Sequence, residues 1–196
     1  MVVSASVPDY DMVQRLVGVL LLFAAFSAEA QDRAVLIYPK ERSWFRRVFY
    51  TQHQRALLQR LRTRFVLDVH QQVDTADKLL NIDVRGARLL VLAAHGDSFA
   101  MFLGGDFRRS LDASDVARLR TFFSALHPEA TIILQSCETG RGFAWAVKEA
   151  AGPRRRVIAA KGTIPPDGVE ITSLSPVDVK FTCHDQGRDW DCTIRM

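Results

Sequence analysis

Three cysteines and a few histidines are the side chains best suited to covalent chemistry here, and their settings differ. Cys183 and Cys192 lie close together near the C-terminus, and the Gln186–Asp189 stretch between them reads as a turn joining two strands. A disulfide clamping that hairpin is expected in an oxidising compartment. Cys137 is then left over as a free thiol. It follows the apolar run Thr131–Leu134, with Gln135 and Ser136 between. His95 ends a second apolar run, Leu89–Ala94, and precedes Gly96. A thiolate nucleophile needs a proton-handling partner and donors for a developing oxyanion. His95 fits the first need. The N–H of Gly96, where no side chain blocks approach, and that of Cys137 fit the second. Taken singly, a cysteine at a strand end is more often a small core residue. The pairing of two strand ends is what points to chemistry.

The elements that must position this pair follow from periodicity. Leu89–Ala94, Thr131–Leu134 and Val157–Ala160 are apolar without alternation, the pattern of strands buried on both faces of a parallel sheet. Ala34–Tyr38 and Phe65–Val69 read as two earlier strands. Helical spacing predicts a helix over Arg42–Arg64, with an arginine-rich outer face read as a solvated surface. A second helix is expected over Asp112–Leu126 with Asp112 as its cap, and a third over Gly142–Ala151. A helix start near Cys137 would place the positive end of a helix dipole beside the thiol and favour the thiolate. Val169–Arg195, rich in Val, Ile, Thr and Phe, is expected to form a small antiparallel extension. Strands alternating with helices imply a three-layer α/β/α sandwich with a mostly parallel sheet, and sites in such sheets form beyond the carboxyl ends of the strands.

Composition agrees with one globular domain. Hydrophobic residues make up 48% and charged residues 24% of 196 residues. Residues 1–30 read as a signal peptide. Arg15 precedes the apolar run Leu16–Phe26, which is short for a bilayer span, and Ala28 and Ala30 fit a small-residue cleavage site. Asp9 and Asp11 are unusual before such a run, and a start at Met12 would make a cleaner signal. Removing residues 1–30 takes away one base (Arg15) and three acids (Asp9, Asp11, Glu29), moving the net charge from +4 to +6. The expected product, residues 31–196, is an exported domain, periplasmic or extracellular, with no stable membrane insertion. No nucleic-acid motif accompanies the basic charge. His53, His70, His127 and His184 show no metal-ligand spacing, and no metal or cofactor is expected. There is no nucleophile elbow or phosphate-binding loop. Trp44, Trp145 and Trp190 read as core or packing residues.

The run Leu89–Ala94 ending in His95-Gly96, then Thr131–Leu134 leading through Gln135 and Ser136 into Cys137-Glu138-Thr139-Gly140-Arg141-Gly142, resembles the caspase-like cysteine peptidases. That group includes caspases, clostripain, gingipains, separase and the CHAT domains. The stretch from Cys137 to Gly142 is most similar to CHAT domains and bacterial relatives. In caspases the catalytic histidine lies about 50 residues before the cysteine; here Cys137 follows His95 by 42. The resemblance spans most of residues 33–162 and implies a caspase-like domain with His95 and Cys137 as a catalytic dyad. It further implies an endopeptidase acting on a protein or peptide substrate. The caspase pattern Gln-Ala-Cys-X-Gly becomes Gln135-Ser136-Cys137-Glu138-Thr139-Gly140, so aspartate specificity does not carry over. Asp97, Glu138 and Lys161 surround the pair with both signs of charge. A caspase-fold binding or inhibitory module without activity is the alternative.

Overall fold

A computed structural model of the chain describes residues 31–40, 57–104, 110–165 and 167–196. The chain divides into two compact units, Met1–Gln31 and Asp32–Met196, and the fold below is that of the second. The expected signal peptide, the first part of the Arg42–Arg64 helix, Trp44 and His53 lie outside the described residues.

In chain order the elements begin with β1 (Asp32–Pro39), the helical residues 57–62 (α1), β2 (Phe65–Val73) and α2 (Ala76–Leu80). Next come β3 (Leu89–Ala93), β4 (His95–Gly96), β5 (Ala100–Phe102) and β6 (Ser110–Asp112). α3 (Val116–Ser124), β7 (Thr131–Gln135), α4 (Phe143–Ala151) and β8 (Arg156–Ala160) follow. The chain ends with β9 (Val169–Leu174), β10 (Val177–Asp185), β11 (Arg188–Asp191) and β12 (Thr193–Arg195). The main sheet has the order β12-β8-β7-β3-β1-β2, and all its pairings are parallel except that of β12 with β8. This is an α/β fold with a mixed, mostly parallel six-stranded sheet. Two small antiparallel sheets accompany it, β4-β5-β6 and β9-β10-β11.

The apolar runs become central strands because both faces must be covered. On one face Val35, Ile37, Leu90, Leu92, Ile132, Leu134, Val157 and Ala159 pack against α3 and α4, through Leu119, Phe123, Phe143 and Val147. On the other, Ala34, Leu36, Val91, Ala93, Ile133 and Ala160 meet Leu61 of α1 and Ile171, Val179 and Phe181 of β9 and β10. The second face is therefore covered largely by a β-sheet rather than by helices alone. That departs from the expected α/β/α layering among the described residues.

Three further corrections have local causes. Asp112 does cap, but on a 3-10 turn (Ala113–Asp115): its Oδ1 accepts from Ser114 N at 2.8 Å, and α3 starts only at Val116. The C-terminal segment is not wholly an extension, since β12 returns to pair with β8 on the main sheet. Trp145 and Trp190 are 57% and 40% exposed, so neither is simply a core residue. The expected hairpin turn is present: Gln186 and Gly187 both have positive φ, the two-residue turn whose twist suits antiparallel strands. Cys183 and Cys192 stand at disulfide distance across it, with Cα atoms 5.7 Å apart and both side chains buried. No helix among the described residues is long and apolar enough to cross a membrane.

Asp178 ties the extension to the main sheet. It accepts from Arg195 Nε of β12 at 2.9 Å and from Arg156 Nη2 of β8 at 3.3 Å. Burial pushes its carboxyl up, but the Arg195 hydrogen bond and the charges of Arg195 and Arg156 outweigh this and hold it below the usual range. A depressed carboxylate stabilises the fold above its unfolded pKa of about 3.9, and that stability is lost as pH falls through the folded value. Urea unfolding should thus show stability falling more steeply below about pH 4 in the wild type than in Asp178→Asn. Equal slopes would show that the carboxylate contributes nothing. Non-reducing peptide mapping should find Cys183 joined to Cys192. Closing so short a loop should make Cys183→Ser/Cys192→Ser less stable by about 2–3 kcal/mol in the same assay.

Candidate active site

The site rests on strand register. β3 and β7 pair in parallel with Leu92 opposite Leu134 and Ala93 opposite Gln135. The ladder ends there, with Ala94 N donating to Gln135 O at 3.2 Å. His95 and Cys137 each lie two residues past the Ala93–Gln135 pair. Side chains alternate between faces along a strand. Leu90, Leu92, Ile132 and Leu134 face the helices, and Leu89, Val91, Ala93 and Ile133 face the β9-β10 side. Beyond the last pair the two chain ends still meet, at Gly96 and Ser136. A Cβ on Gly96 would collide with Ser136 Oγ, and would lie 2.9 Å from Ala100 O and 3.2 Å from Thr139 Cγ2. Only a glycine lets these chain ends approach so closely.

Gly96 also belongs to β4, which pairs antiparallel with β5. Asp97 N donates to Ala100 O at 3.1 Å, closing the turn, and Asp97 Oδ1 accepts from Phe99 N and Ala100 N at 2.7 and 3.0 Å. Asp97 is thus committed to building this turn. Hydrogen-bonded and non-bonded pairs alternate along an antiparallel ladder. The Asp97–Ala100 bond makes Gly96–Met101 the non-bonded pair, so Gly96 N–H faces away from β5. It is not used by the ladder, as an oxyanion donor requires.

The turn after Cys137 is held from several sides. Glu138 adopts φ 58°, a left-handed conformation uncommon outside glycine. Its N–H donates to Gly162 O at 3.0 Å, and its carbonyl accepts from Arg141 N at 2.9 Å. Buried Thr139 Oγ1 donates to Ser136 O at 3.2 Å. A Cβ on Gly140 would lie 2.9 Å from the Ala160 carbonyl carbon and oxygen, so this turn presses on the end of β8. Strained backbone of this kind persists only where its surroundings enforce it, and it clusters at functional sites.

His95, Gly96 and Cys137 are all half-buried, and Cys137 is a free cysteine. The helix dipole expected beside the thiol is not in place. A 3-10 turn (Thr139–Arg141) intervenes, α4 begins only at Phe143, and Phe143 N donates to Ser98 O at 2.7 Å. The charges expected around the pair are partly occupied. Glu138 lies 3.7 Å from Arg141, and Arg141 Nε donates to the carbonyl of exposed Lys161 at 2.6 Å. His70, His127 and His184 each have local partners in Asp68, Glu129 N and Asp189, and no metal-binding cluster occurs among the described residues.

Sequence reasoning missed the β4-β5-β6 sheet and two polar groups near the strand ends. Tyr38 Oη and Gln135 Oε1 are buried without a hydrogen-bond partner, and burial pushes the Tyr38 phenol well above its ordinary value. The available signal was a polar end on an otherwise apolar strand. Phe99, 78% exposed at the β4–β5 turn, was also missed. Fold and site together define an α/β domain in which His95 and Cys137 each follow the end of a central parallel strand. No protein-family model matches the chain, and no curated protein matches it.

Gly96→Ala tests the close approach. The new methyl must displace Ser136 or the Ala100 backbone, and overpacking of this kind costs about 1–3 kcal/mol. Urea unfolding should show such a loss for Gly96→Ala. No loss should appear for Ser136→Gly combined with it beyond that of Ser136→Gly alone, apart from the Ala100 contact. An unperturbed Gly96→Ala would mean that the two strand ends are not in contact.

Proposed function

We propose that the chain is a cysteine peptidase of the caspase-like class, with His95 and Cys137 as its dyad. The reading is supported by the parallel pairing of β3 and β7, whose last pair lies two residues before His95 and Cys137; strand alternation carried past that pair would set both side chains on one face. The Cys137 thiolate attacks the carbonyl carbon of a peptide bond, and His95 takes the thiol proton. The tetrahedral oxyanion accepts hydrogen bonds from Gly96 N–H and Cys137 N–H, donors that act where charge develops. Collapse breaks the C–N bond, His95 returns the proton to the leaving amine, and water then hydrolyses the thioester. The substrate is a protein or peptide. The cysteine pair at disulfide distance supports export to a periplasmic or extracellular setting.

A second reading, an inactive binding or inhibitory module of the same class, has its own support. Phe99 and Trp145 are exposed, one a sequence neighbour of Ser98 and the other two residues from Phe143, and a backbone hydrogen bond joins Ser98 and Phe143. Bare aromatics of this size commonly serve recognition.

Brief alkylation at neutral pH followed by peptide mapping separates the two. The peptidase reading expects selective labelling of Cys137, lost in His95→Ala, and peptide hydrolysis that falls by a factor of at least about 1,000 in Cys137→Ala. A folded protein whose Cys137 labels no faster in the wild type than in His95→Ala would rule out the dyad and leave the binding module.

A further inference from the structure

The segment Lys161–Gly162 touches the Cys137 turn on one side and the cysteine hairpin on the other. Lys161 O accepts from Arg141 Nε at 2.6 Å, while Lys161 N donates to Cys192 O at 2.9 Å. Gly162 O accepts from Glu138 N at 3.0 Å, while the position of a Gly162 Cβ would lie 3.0 Å from Cys183 Sγ and 3.1 Å from Trp190 Cζ2. Lys161 thus links Cys192 to Arg141, and Gly162 links Cys183 to Glu138, the residue that follows Cys137. We propose that the Cys183–Cys192 bridge is a redox-sensitive brace that holds the Cys137 turn in its left-handed form.

The chemistry is balanced by a dithiol reductant. The bridge takes up two electrons and two protons to become two cysteine thiols, and the dithiol closes to its cyclic disulfide. Two thiols cannot sit at bonding distance, since a covalent S–S bond of about 2.0 Å holds the sulfurs far inside their contact distance. Cys183 and Cys192 are fully buried, and close-packed interiors have little room for the expansion. Backbone flanks both sulfurs: a Cβ on Gly162 would lie 3.0 Å from Cys183 Sγ, and Phe181 O lies 3.4 Å from Cys192 Sγ. Movement at Gly162 breaks the Glu138 N–H bond to Gly162 O, which supports the strained φ. Access for the reductant comes from β11, whose four residues are all exposed and which lies at the edge of its sheet. The effect on catalysis rests on the dyad reading; the coupling of bridge to turn does not.

Hydrogen exchange of the full chain, read by mass spectrometry with and without dithiothreitol, tests the coupling. The variant Cys183→Ser/Cys192→Ser repeats it without reductant. Opening the bridge should speed exchange at Glu138 by about fivefold, the worth of one net hydrogen bond, beyond any acceleration it shares with β3 and β7 amides, which follow the global stability. Labelling of Cys137 should slow in the same proportion. Unchanged exchange at Glu138 with the bridge shown open by mass would overturn the proposal. So would equal acceleration throughout β3 and β7, which would mean general loosening. His95→Ala, labelled in parallel with the bridge intact, tests the dyad separately. If it labels like the wild type, the dyad reading fails and the exchange pattern still decides the brace.

Discussion

The parallel pairing of β3 with β7 is the constraint on which the site depends. Side chains alternate with a period of two, so a one-residue slip of either strand would turn its core residues to the wrong face. The register is fixed by burial on both sides. Leu90, Leu92, Ile132 and Leu134 must meet the helices, and Val91 and Ile133 must meet Leu61 and the β9-β10 sheet. Neither set can move to water, so the core that stabilises the sheet also sets which residues stand together at its edge. The link runs from apolar sequence through packing to the geometry of two reactive side chains.

Beyond the strands, the ends are shaped by contacts that admit little variation. Gly96 and Gly140 let backbone and side chains come closer than a Cβ would allow, one against Ser136 and the other against Ala160. Between them the chain passes through the left-handed Glu138, anchored by Gly162 and Arg141. The last strand closes the arrangement. β12 adds to β8 as an antiparallel edge, and Arg195 and Asp178 tie it to β10. The C-terminal segment is thus a support for the site's far side rather than an appendage.

The strands that carry the pair were legible because fully buried strands are continuous apolar runs, and β3, β7 and β8 are such runs. The 186–187 turn was legible from its composition, as was the pairing of the two nearby cysteines. Less visible were β4, β5 and β6. At two or three residues each they carry no period, and their turn is made by the Asp97 side chain rather than by a Gly or Pro signal. The helix over Gly142–Ala151 was legible to within one residue, but the 3-10 turn that separates it from Cys137 was not, because contact with β8 and Ser98 shapes the chain at Gly140 and Gly142. β12 was misassigned because Thr193–Arg195 reads as any short β segment, and its partner is selected by contacts distant in sequence, Val157 with Met196 and Lys161 with Cys192 among them. The exposure of Trp145 and Trp190 was hidden for a similar reason: residue type predicts burial, but neighbours decide it.

The most direct measurement of the central claim is proximity between positions 95 and 137 in solution. His95→Cys, treated with a short bifunctional thiol reagent and mapped by mass spectrometry, supplies it. The account predicts a cross-link between position 95 and Cys137, formed in the folded protein. Both thiols labelling singly with no cross-link between them would contradict the shared face, and with it the dyad.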